Sequence, residues 1–170
     1  RHAAGCRLVH DLMGSTTSVM MNPLQGENGQ FNPKDFTPTS EPRVNIYFNP
    51  MFPGSSNSAA APLTPENADA NIASVLAHEM NHAWDWLLNG FGDRRWNFST
   101  LVDMEHGSVQ AQNQVIKELL GVAGQRTGYT FSWNNRTIRR TWDDATDNKL
   151  THCNCDRVWA ELSGSKGWGR

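Results

Sequence analysis

Residues 64–90 read TPENADANIASVLAHEMNHAWDWLLNG, and the fold turns on how this stretch is read. Thr64 is placed to cap a helix, Pro65 suits its first position and Glu66 its first turn. Asn89-Gly90 is a stop signal. Between them Ile72, Leu76, Met80 or Ala83, and Leu87 recur every three to four residues, which predicts a helix over roughly 65–88. Near its middle stands His78-Glu79-Met80-Asn81-His82. Residues four apart lie one above the other on a helix, so two imidazoles can bite one Zn²⁺ with bonds of about 2.0–2.1 Å. Glu79 is turned about 100° from His78 and points at water beside the metal rather than at the metal itself. With 6 His and the chain's other residues shuffled, this pattern arises by chance on the order of 1% of the time.

A catalytic zinc needs a third protein ligand and an open position. The extended pattern with a third histidine is absent, because position 85 is Asp and position 88 is Leu. The third ligand is therefore expected from a separate downstream segment, where Asp93, Asp103, Glu105 and Glu118 are available. Glu105, early in a second helix expected at about 103–120, is the preferred candidate, with Asp103 and Glu118 in reserve. His106 is adjacent and would face elsewhere. At that depth Glu105 could instead be an acid complementing the helix dipole. Asp85 shares the face of His78 and His82; it either orients a ligand imidazole or is a surface carboxylate near the helix end.

Outward from this helix the chain is a single α+β domain in expectation, residues 1–170, with a mobile tail at about 160–170. Leu8, Val9, Leu12 and Met13 suggest a first helix, and Val19-Met20-Met21 before Asn22-Pro23 a strand. A hairpin is expected around Asn28-Gly29, and a strand at Arg43–Phe48. Gly128–Arg140 alternates around Asn134-Asn135 as a second hairpin. Apolar residues make up 38% and charged residues 19% of 170, against both disorder and a membrane protein. A formal charge of −2 gives no general drive toward nucleic acid or an anionic membrane. Arg136, Arg139 and Arg140 cluster and read as a solvated face. Cys6, Cys153 and Cys155 cannot build a disulfide framework, though one bridge from Cys6 is possible. Starting at Arg1 without a leader, the chain reads as a processed product, a fragment or an excised domain.

Over about residues 5 to 131 the sequence resembles the NleD-like effector and toxin metallopeptidases of bacteria. Gly5-Cys6-Arg7-Leu8-Val9-His10-Asp11-Leu12 leads to a strand, and Val44–Pro50 precedes the zinc helix. Leu76-Ala77-His78-Glu79-Met80-Asn81-His82-Ala83 is close to the family's Leu-Ala-His-Glu-Leu-x-His-Ala. Glu105-His106-Gly107-Ser108-Val109 fits its acid, two residues, Thr-Val. Gln112–Leu119, then Arg126 and Tyr129, fit its closing landmarks, with Gln112 where the family has an acid and Ile116 where it has Arg. The resemblance implies a zincin-like fold: a small antiparallel or mixed sheet packed on the zinc helix, plus a second ligand-bearing helix. It implies a secreted or injected zinc endopeptidase that cuts a host or competitor protein, with an immunity or inhibitory protein as possible partner. In the expected mechanism Glu79 is general base on a zinc-bound water, and Tyr129, Arg126 or His106 donates to the oxyanion. By analogy with zincins, the 44–48 strand pairs with substrate backbone. Two rival readings stand beside it: a peptide-deformylase-type hydrolase using Cys6, and a non-catalytic zinc-binding module.

Overall fold

The computed structural model describes residues 3–23, 30–32, 43–88 and 97–146. In chain order these form α1 (Ala3–Met13), β1 (Ser18–Pro23), β2 (Gln30–Asn32), β3 (Arg43–Phe48), α2 (Ala68–Leu88), α3 (Phe98–Leu120), β4 (Gly128–Trp133) and β5 (Arg136–Thr141). The arrangement is α+β, with three helices and two small sheets among the described residues. The hairpin expected at Asn28-Gly29, Asp93, Cys153, Cys155 and the 160–170 tail lie outside them. None of the described helices is long and apolar enough to cross a membrane.

The first sheet is mixed, in the order β1-β3-β2. β1 runs parallel to β3, with Val19 opposite Val44 and Met21 opposite Ile46, and β2 runs antiparallel to it. The 44–48 strand is thus the middle strand. Both of its edges are already hydrogen-bonded, so it cannot pair with substrate, and the expectation that it would is corrected. Val44 and Ile46 are fully buried and pack with Leu12 and Ala83, flanked by Met80, Trp84 and Leu87. Burying each such side chain contributes about 1.5–3 kcal/mol. The face of α2 carrying Met80, Ala83 and Leu87 is therefore the one spent on the sheet. α1 closes the same side: Trp84 Nε1 donates to Asp11 Oδ2 at 3.0 Å, and Arg7 lies over the Trp84 ring.

Two helix starts differ from the sequence reading. Residues 65–67 form a 3-10 turn, and Thr64 makes no side-chain capping bond; its backbone O accepts from Asn67 N–H at 3.1 Å instead. α3 begins at Phe98, five residues before the expected start, capped by Asn97 Oδ1 accepting from Thr100 N at 3.0 Å. It ends at Gly121, whose N–H still donates to Lys117 O while its positive φ of 69° turns the chain out of the helix. The early start places Glu105 two turns inside α3, too deep to be a dipole-complementing acid.

α2 and α3 pack through a polar seam. Asn71, Ser74, His78, Asn81, His82 and Asp85 of α2 are buried, as are Glu105, Ser108 and Gln112 of α3. Buried polar groups cost stability unless they are bonded, so this seam must be a connected network. The loop before α2 is stitched into it: Asn71 brackets Ala61, bonding both its N and its O, and Gln112 Nε2 donates to Ser58 O at 2.7 Å. β4 and β5 form an antiparallel hairpin whose turn residues Asn134 and Asn135 both take positive φ, as a tight twisted hairpin requires. Phe131 of β4 is buried edge-on against Phe98, fixing the hairpin to the start of α3.

Candidate metal centre

Three side chains from the α2–α3 seam converge on one point. His78 Nε2 and His82 Nε2 are 3.2 Å apart, their rings nearly perpendicular. His78 Nε2 lies 3.1 Å from Glu105 Oε2, and His82 Nε2 lies 3.4 Å from Glu105 Oε1. All three residues are buried. For a tetrahedral ion with bonds of about 2.0–2.1 Å, neighbouring ligand atoms stand about 3.3–3.4 Å apart. The observed separations match that spacing. Two nitrogens and a carboxylate are also the donor set of a catalytic zinc site. The residues fit a metal ion, and among the described residues this is the one group of three or more His, Cys, Asp or Glu able to hold one.

The electrostatics agree with a site built for positive charge. Burial holds the His78 imidazole neutral, down to about 4, the facing Arg126 adding to the effect. Burial also opposes charge on His82, but the carboxylates of Glu105, Glu79 and Asp85 outweigh it and push His82 up to about 9. Burial would raise Glu105, yet the two imidazoles hold it well below the usual carboxylate range. In the absence of metal the cluster keeps a proton on His82, the place a cation would take.

The far side of each imidazole is also held. His82 Nδ1 lies 3.1 Å from Ser108 Oγ, a hydroxyl that can accept the Nδ1 proton in the tautomer whose Nε2 lone pair would face an ion. Asn81 Nδ2 donates to the same hydroxyl at 3.2 Å and to Asp85 Oδ2 at 3.0 Å. Asp85 thus reaches His82 through Asn81 and Ser108. Behind His78, Arg126 Nη1 faces Nδ1 at 3.4 Å and donates to Gln112 Oε1. Asn113 fixes the Arg126 backbone by bonding both its N and its O. Arg126 lies over the Tyr129 ring at 5.1 Å, and that ring stacks parallel to His78 at 6.1 Å. Burial and the facing Glu105 carboxylate push the Tyr129 phenol up, so it keeps its proton.

The structure brings Glu79, His78, His82, Glu105, Arg126 and Tyr129 to one neighbourhood. Glu79 is buried, and its charge bears on His82, Arg126 and Tyr129. Asp103 is exposed on α3, and Glu118 accepts from Gln114 a turn before the helix end; neither joins the cluster. His106 turns away to Asp144, 2.7 Å from its Nε2, and stacks on Trp142. Cys6 sits on α1 and is not in the metal-binding group. Ser108, Asn81 and Gln112 went unassigned in the sequence. Their signal was there: Glu105, Ser108 and Gln112 repeat at three and four, facing Asn71, Ser74, His78, His82 and Asp85 at the same spacing.

The chain is α+β, and two buried histidines and a carboxylate converge from adjacent helices in a group that could hold a metal ion. A sequence profile of peptidase family M91, described as effector protein, matches residues 3–122. The chain belongs to that family, the NleD-like effector metallopeptidases. Neither a curated protein nor a solved structure matches it.

Proposed function

We propose that the chain is a single zincin-like domain acting as a zinc endopeptidase, delivered into a target cell to cut a protein there. The observation that carries this is the convergence of His78 Nε2, His82 Nε2 and the Glu105 carboxylate at the spacing of tetrahedral ligands. Family membership supports the peptidase class and the effector role. In this reading His78, His82 and Glu105 hold the ion, which when bound supplies a Lewis acid that polarises a carbonyl and acidifies water.

The other steps belong to the chain's own side chains. Glu79 accepts a proton from the attacking water and passes it to the amine as the peptide C–N bond breaks, so one water is consumed per bond cut. Tyr129, kept protonated by its surroundings, donates to the oxygen of the tetrahedral carbon. Arg126 sits behind His78 and adds positive charge to the site without entering the ligand set. His106, occupied by Asp144 and Trp142, has no part. A toxin released from a producing cell would also need a protective partner there. Glu79→Gln is the deciding variant: it should keep metal content and fold while hydrolysis of a protein substrate falls by orders of magnitude. Hydrolysis at the parent rate would remove Glu79 from the mechanism.

A further inference from the structure

β5 reads Arg-Thr-Ile-Arg-Arg-Thr, and Arg136, Arg139 and Arg140 are all exposed. The chain as a whole is acidic, with a net charge of −2, so three guanidiniums on one short strand are a local excess. Among the described residues none of the three forms an ion pair; Arg140 lies over the Phe98 ring at 5.6 Å. Of the nearby acids, Asp144 is taken up by His106 and Gln110, and Asp143 lies beyond the strand end. The hairpin has two strands, so among the described residues β5 has a strand partner along one edge alone.

The position of this edge relative to the centre is what makes it informative. In the ladder Arg140 is directly opposite Tyr129, whose ring stacks on His78. Residues alternate across a strand, so Arg136, Ile138 and Arg140 share the face of Tyr129, Phe131 and Trp133, while Arg139 takes the other. The cationic edge is thus one strand away from the catalytic neighbourhood and on the same face.

We propose that β5 is a recognition edge for an acidic, extended segment of the polypeptide substrate, flanking the bond to be cut. This rests on the peptidase reading for the identity of the bound chain. The segment adds as a strand to the edge of β5 that has no strand partner among the described residues, its backbone meeting the outward N–H and C=O groups. At about 3.3–3.4 Å per residue, carboxylates four residues apart span the separation of Arg136 and Arg140, and one of opposite parity meets Arg139. The competing account is that the arginines only guard an open edge against aggregation.

Fluorescence anisotropy with the full chain carrying Glu79→Gln separates these, since it reads binding without turnover. The probes are short labelled peptides of Glu-Ser repeats, Gln-Ser repeats and Lys-Ser repeats, and an oligothymidine. The Glu-Ser peptide should bind roughly tenfold or more tightly than the Gln-Ser peptide, and the gap should shrink between about 0.05 and about 0.3 M salt. Reversing Arg136→Glu, Arg139→Glu and Arg140→Glu together should abolish the gap. Equal binding of the two peptides, or a preference surviving reversal in folded protein, overturns the proposal. Oligothymidine binding more tightly than the Glu-Ser peptide overturns it in favour of a nucleic-acid surface. Should the reversal disturb the fold, Arg136→Gln with Arg139→Gln serves with the same two outcomes. Failure of the peptidase reading shows separately, as absence of hydrolysis by the chain with Glu79 intact; an acidic preference that persists then still supports the edge.

Discussion

Ser108→Ala tests the centre through a residue outside the His78, His82 and Glu105 group. Ser108 is completely buried; its hydroxyl accepts from Asn81 Nδ2 at 3.2 Å and lies 3.1 Å from His82 Nδ1, whose N–H it accepts in the metal-binding tautomer. Alanine leaves both donors facing a methyl group. A buried donor stripped of its acceptor costs about 1–3 kcal/mol. Asn81 keeps Asp85 as a partner, so the larger share falls on His82, and a total loss of about 2–4 kcal/mol is expected. Metal affinity should fall by about 10–100-fold, because the imidazole loses the bond that fixes its tautomer and plane. Two measurements read this: urea denaturation of the metal-free chain, and chelator competition for Zn²⁺. Ser108→Thr keeps the hydroxyl and should bind zinc within about threefold of the parent, with an overpacking cost of about 1–3 kcal/mol from the added methyl. The reasoning fails if the alanine variant binds zinc as tightly as the parent, or if the threonine variant loses as much as the alanine one.

Glu105→Ala should abolish tight zinc binding by competition assay, while Asp103→Ala and Glu118→Ala leave it unchanged; the reverse pattern would move the third ligand. Gly107→Ala is expected to stabilise α3 by about 0.5–1 kcal/mol in thermal unfolding, because its Cβ would meet Asn81 Nδ2 at 3.4 Å and Asp85 Oδ2 at 3.6 Å, ordinary contacts. Gly124→Ala should behave oppositely: its Cβ would fall 2.5 Å from Asn113 Cα, on backbone that cannot yield. The Asn113 clamp on Arg126 would open, with a stability loss of more than about 2 kcal/mol and weakened activity as the readouts.

Local patterns made much of the fold legible. The 3.6-residue rhythm of 72–87 and its bounding Asn-Gly mark α2, and alternation around Asn134-Asn135 marks the last hairpin. The start of α3 was missed because the cap, Asn97, precedes a run of Phe, Ser and Thr that carries no apolar rhythm. That the 44–48 strand is central rather than an edge was not legible, since pairing depends on which distant segments arrive beside it.

The sequence by itself determined that two imidazoles and the Glu79 carboxylate lie on one helix, with the imidazoles on one face, since spacing of four is set by backbone geometry alone. For the acid that joins them it preferred Glu105 and held Asp103 and Glu118 in reserve, because spacing along the chain does not fix which of them meets the histidines. The crossing of α2 and α3 decides that: it turns Glu105, Ser108 and Gln112 inward and leaves Asp103 on the surface. Which acid comes to lie beside the histidines is a matter of how two helices pack, and packing is a property of the folded chain rather than of any segment in it.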